Sequence, residues 1–163
     1  MRTLMRPSWS ILRRGFSLLL PKPIPGLVIP YAYLWWHEHN SGAEDGRKVR
    51  PCVIVLSVED KDGDTKVTVA PITHRSPENG KIAALEIPPM IKSYLKLDDE
   101  RSGIIVDEVN QFIWPGPDIW PVSRNPESPA FYGVLPPKFF GMVKKMLIDV
   151  AQRKRIKFVK RTP

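Results

Sequence analysis

Gly46-Arg47-Lys48-Val49-Arg50-Pro51-Cys52-Val53-Ile54-Val55-Leu56-Ser57 joins a basic turn to an unbroken β-branched and aliphatic run, and the reading of that run decides the fold. Apolar side chains at consecutive rather than alternate positions describe a strand covered on both faces. Proline lacks the ladder donor, so Pro51 is expected at the first residue of the strand, with Arg50 at its mouth. The turn-rich Glu59-Asp60-Lys61-Asp62-Gly63-Asp64 then leads into Thr65-Lys66-Val67-Thr68-Val69-Ala70-Pro71. A short polar linker between two such runs predicts an antiparallel hairpin. Ile72-Thr73-His74 is expected to leave the sheet after Pro71. In a hairpin the start of the first strand faces the end of the second, so Arg50, Thr73 and His74 share one rim. The bland alternative is a basic loop, a turn threonine and a solvated histidine that merely lie near one another.

Outward from this hairpin, the chain has 163 residues, enough for one compact core with tails. The single Cys52 lies inside the apolar run, which leaves no disulfide framework and no cysteine metal cluster. A reducing cytoplasm fits that usage. Net charge is +8, but its layout says more than its sum. Residues 1–25 hold five basic side chains and no acid, and residues 153–163 hold six and no acid. The body, 26–152, therefore carries 14 basic against 17 acidic side chains, which disfavours a globally basic wrapper of nucleic acid. If RNA binds there, a local pocket holds it while the tails attract phosphates nonspecifically.

Upstream, residues 1–25 read as a basic amphipathic arm: the apolar run Phe16 to Leu20 is too short for a signal peptide and ends in prolines without a small-residue cleavage site. No later segment approaches bilayer length, so integral membrane association is not expected. Leu27 to Trp36 reads as the first strand, with Pro30 marking an edge or bulge. Its Trp35 and Trp36 are candidates either for base stacking or for core packing. His37 and His39 in the following polar loop would point the same way on an extended backbone, but no third ligand accompanies them, so no metal site is expected. Downstream, Glu86-Ile87-Pro88 suggests a short strand, and Pro89 to Leu95 a brief helix with proline at its first position. Ser102 to Trp114 is the third apolar strand, interrupted at Asp107-Glu108 and Asn110-Gln111. Those polar groups either reach a site or face water at a barrel corner. Pro136-Pro137 starts an amphipathic helix with a stripe of Phe140, Val143, Leu147 and Val150, widened by Phe139, Met142 and Met146. Beyond it Ile156, Phe158 and Val159 are placed to form a last edge strand guarded by its lysines and arginines.

Three blocks, in order, resemble the MazF/PemK family of bacterial toxins: Val49-Arg50-Pro51-Cys52-Val53-Ile54-Val55-Leu56-Ser57, Val69-Ala70-Pro71-Ile72-Thr73 and Ile105-Val106-Asp107-Glu108-Val109. In that family an Arg-Pro pair opens a strand, a threonine closes the next, and a later strand carries an Asp-Gln-Val or similar triplet. The resemblance spans roughly Gly26 to Gln152. It implies a mostly β fold, a small SH3-like barrel with a C-terminal helix over 26–152, flanked by the arm 1–25 and a basic tail or edge strand 153–163. It further implies a cytoplasmic, metal-independent endoribonuclease without cofactor, the growth-inhibiting half of a type II toxin–antitoxin pair, with single-stranded RNA, a small antitoxin and a second copy of itself as partners. Arg50 would clamp phosphate oxygens and transfer protons, and Thr73 would donate to the same phosphate. His74, which the family does not require, is our addition as base or acid. Arg47, Lys48, Trp35 and Asn110 are the expected RNA contacts. An acid in the loop before the Arg-Pro pair corresponds to Glu44 or Asp45. At Glu108, where family members often have glutamine, a charge would repel phosphate. The rival is a catalytically inactive SH3-like module that binds RNA or protein.

Overall fold

The computed structural model describes residues 20–46, 48–74, 83–123, 128–153 and 155–161. The sheet is built outward from three antiparallel neighbours: β1 (Leu27–Ala32), β2 (Val49–Glu59) and β3 (Thr65–Thr73). Asp60 closes the hairpin between β2 and β3, its Oδ1 accepting from the N–H groups of Asp62 and Asp64 at 2.9 and 3.0 Å. The strand opened by the basic turn is covered on both faces over Cys52, Val53 and Ile54 alone; Leu56, which ends the same apolar run, and Val58 beyond it are exposed. Cys52 and Ile54 enter one buried cluster with Ile29, Tyr31, Val67, Val69 and Phe112, while Val53 enters another with Val28, Ala70 and Ile72.

Two expectations about proline are corrected. β2 starts two residues before Pro51, which lies opposite Pro30 of β1. Antiparallel pairs alternate between hydrogen-bonded and non-hydrogen-bonded positions, and two facing prolines fit only the latter, where neither needs a donor toward the other. Nor does β3 end at Pro71: it runs on to Thr73 by exchanging β2 for β5 (Gly103–Ile105), with Ile72 opposite Ile104.

The short β4 (Ala84–Glu86) pairs with β5 and leads into a helix that starts on Pro89. After β5 the chain continues beside β3 as β6 (Glu108–Ile113). Ile72 faces Ile104 and Val69 faces Asn110, so the intervening β3 residues are opposed by a longer stretch and the strand read as one turns a corner at Val106-Asp107. Beyond β7 (Gly133–Val134), which pairs with β1, the chain enters its long helix and then β8 (Lys157–Lys160), which lies parallel to β6. The tail is thus an edge strand, with Val159 buried and Phe158 exposed.

Three helices accompany the strands among the described residues: α1 (Trp36–Asn40), α2 (Pro89–Tyr94) and α3 (Pro137–Gln152). α1 replaces the end of the first expected strand and the start of the polar loop. α3 packs on the second cluster through Phe139, Val143 and Val150, so its buried stripe centres on Phe139 rather than Phe140, and Met142 faces out. The whole is mostly β, a curled, largely antiparallel half-barrel sheet with a C-terminal helix across one face. No described helix is long and apolar enough to cross a membrane.

Candidate functional site

Where the β2–β3 ladder runs out, the sheet opens into a cleft of about 750 Å³. The last registered pair is Cys52 with Pro71, and continuing that register sets Arg50 level with Thr73. Side chains of directly opposed residues share a sheet face, so the strand geometry itself brings guanidinium and hydroxyl together. Both line the cleft with His74, and so does Lys48 from the basic turn. Gly46 fixes that turn: a Cβ there would lie 2.5 Å from the carbonyl oxygens of both Ala32 and Tyr33, so only glycine lets the loop pass this close to the end of β1.

The guanidinium of Arg50 stacks on Trp35, with Cζ 5.0 Å from the ring centroid. Trp35 itself is half-buried against the first cluster and meets Tyr33 edge-on at 5.0 Å. Its contact with Arg50 orients the cation by its ring face, a role different from the expected stacking on a base. Thr73 is only 6% exposed, at the cleft's inner end. His74 stands at the rim between two carboxylates, Nε2 2.9 Å from Asp98 Oδ2 and Nδ1 3.1 Å from Glu100 Oε2. Asp98 is held in turn by the N–H of Glu100 at 3.1 Å and lies 3.8 Å from the buried Lys92 ammonium. Each ring nitrogen faces a carboxylate, so a substrate hydroxyl reaches His74 only where one of the two acids moves aside. Glu100, 73% exposed, is the partner placed to do so.

Other expectations fall elsewhere. Arg47 lies outside the described residues. Glu44 and Asp45 are exposed, and neither lines the cleft. Asn110 is corrected: it is fully buried, donating to Leu34 O at 2.8 Å and accepting from Leu34 N–H at 2.9 Å, so it closes the backbone beyond β1 and presents nothing to RNA. Glu108 likewise faces inward. Its Oε2 accepts from Tyr33 Oη at 2.9 Å and from the Trp36 N–H at 3.0 Å, and burial pushes its carboxyl above the usual range despite those bonds and the nearby Lys157. It is not among the residues that line the cleft. Two of the four polar interruptions, Glu108 and Asn110, therefore bond the Leu34–Trp36 segment, while Asp107 accepts from the Ala83 N–H. Burial also pushes the Cys52 thiol far up, which makes it inert as a nucleophile.

Sequence reasoning missed Lys96, Asp98 and Tyr132, which complete the cleft from the segment after α2 and the approach to β7. The acidic run Asp98-Asp99-Glu100 was visible, but nothing local tied it to His74, 24 residues upstream. No protein-family model and no curated protein matches this chain.

Proposed function

We propose that the chain is a MazF/PemK-like toxin built on an SH3-like barrel, a cytoplasmic, metal-independent endoribonuclease that cleaves single-stranded RNA. The observation that supports this most is the convergence of Arg50, Thr73 and His74, with Lys48, on one cleft at the end of the β2–β3 ladder. In the reaction a substrate 2′-hydroxyl gives up its proton and attacks the adjacent phosphorus. The P–O5′ bond breaks, O5′ takes a proton, and the products are a 2′,3′-cyclic phosphate and a 5′-hydroxyl. The dianionic phosphorane between them is met by the planar fork of Arg50 and the hydroxyl of Thr73, donors fixed by strand geometry before substrate arrives. His74 exchanges a proton once Glu100 gives way.

The reading carries a second copy and a small antitoxin as protein partners. A groove of about 640 Å³ between the distal sheet and α3, with Leu56, Ile148 and Phe158 exposed along it, supports a protein-binding role for that face. A non-cleaving RNA-binding module is favoured by one observation, the double carboxylate contact that occupies both nitrogens of His74. End analysis separates the two. The toxin reading predicts 5′-hydroxyl and 2′,3′-cyclic phosphate termini on single-stranded RNA, with Thr73→Ala slowing cleavage ~10²-fold and Thr73→Ser retaining most of the rate. RNA that is bound and recovered intact leaves the module.

A further inference from the structure

The C-terminus of α2 ends in a six-residue turn whose two bonds are both present. Leu97 N–H donates to Lys92 O at 2.9 Å and Lys96 N–H to Ser93 O at 3.1 Å. The accompanying apolar contact is there too, with Ile91 and Leu97 both packed on the second cluster. This motif places the residue after the cap in the left-handed region, the position where glycine is the usual occupant. Here it holds Lys96, at φ 57°, the sole non-glycine residue with positive φ among those described. A lysine there leaves the helix end less stable than glycine would.

The same lysine lines the cleft, on a different segment from Arg50 and Thr73. Its neighbours in charge are accounted for: His74 meets Asp98 and Glu100, and Lys92 meets Asp98. Lys96 and Lys48 make no ion pair among the described residues, and both are exposed. We infer that Lys96 is a phosphate-binding residue of the cleft, gripping a phosphate of single-stranded RNA next to the one addressed by Arg50 and Thr73. An extended strand of RNA presents its phosphates in series, so a cation set apart from the reacting centre fixes register without taking part in bond breaking. The left-handed backbone thus falls at a residue that lines the cleft, and backbone strain commonly clusters at binding positions. This rests on the RNA reading above.

The test is binding of a short, labelled 2′-O-methyl RNA, which lacks the attacking hydroxyl and stays intact, measured by anisotropy across a salt series. Lys96→Gln keeps the backbone and removes the charge. It should bind more weakly and flatten the slope of log affinity against log salt by about 0.7, one single-strand phosphate contact. Lys96→Gly should lose the same binding while its melting temperature rises by roughly 2–4 °C, the opposite movement of stability and affinity. A salt slope unchanged in Lys96→Gln, with wild type binding normally, overturns the role of Lys96 and leaves the RNA reading standing. Wild-type protein that shows no salt-dependent binding overturns both.

Discussion

Glu108 brings a titratable carboxyl into a buried position where only its hydrogen bonds to Tyr33 and Trp36 are useful. Because its value in the folded chain is raised, the folded state holds the proton more tightly than the unfolded one. Its stabilising contribution is therefore present at low pH and is lost as pH rises from the ordinary carboxylate range through the folded value. Glu108→Gln keeps an acceptor for both donors and has no charge to bury. The variant should gain on wild type as pH rises, so urea midpoints should differ more at about pH 8 than at about pH 4. A difference independent of pH would mean that the carboxylate is as well solvated folded as unfolded. At this scale the sequence was legible where a side chain's neighbours follow from strand register, as for Arg50 and Thr73. It was not legible for Glu108, Asn110 and Lys96, because period and polarity do not tell a buried acceptor from a ligand contact, and a left-handed lysine carries no glycine to announce the turn.

Among elements, the hairpin was readable because an apolar run with a buried centre at Cys52, Val53 and Ile54 and the turn chemistry of Asp60 are local properties of the chain. α1 was not, since its cap is Trp35 rather than a serine, threonine or aspartate, and Glu38 alone reaches back to the cap N–H at 3.3 Å. The parallel pairing of β8 with β6 joins Glu108 to Lys157, a contact set by tertiary fit and invisible to a local pattern. That pairing changes the meaning of the tail. Arg161, with its side chain 2% exposed, donates to Ala32 O at 2.8 Å and to Asn110 Oδ1 at 3.2 Å, and pairs with the buried Asp118 at 3.1 Å. It is a structural anchor, not a free cation for RNA. Arg161→Gln removes the cationic partner of a buried carboxylate and should lower stability by about 3–5 kcal/mol, read from chemical unfolding. A loss below about 1 kcal/mol would place that pair in solvent-like surroundings. Truncation after Gln152 deletes this anchor together with Val159, so weaker RNA binding by such a protein would report unfolding as much as lost charge.

Across the whole molecule, one sheet feeds two cores, and polar side chains line the cleft at the open end of its central hairpin. The body's net negative charge and the cationic cleft are compatible because the acids lie elsewhere or are engaged, as Asp118 is by Arg161 and Asp98 by His74 and Lys92. A local cationic cleft on an otherwise acidic body favours a single-stranded ligand threading one groove over wrapping of a duplex. Under the proposed function, RNA cleavage in this cleft runs through Arg50, a half-buried residue that rests on Trp35 and belongs to neither buried cluster. The direct measurement is incubation of purified wild type, Arg50→Ala and Arg50→Lys with a long single-stranded RNA in EDTA, each protein first shown to be folded by circular dichroism. Cleavage by wild type and by neither variant is expected, because a lysine's point charge cannot make the planar two-pronged contact. Equal cleavage by folded Arg50→Ala, or intact RNA with the wild-type protein, would contradict it.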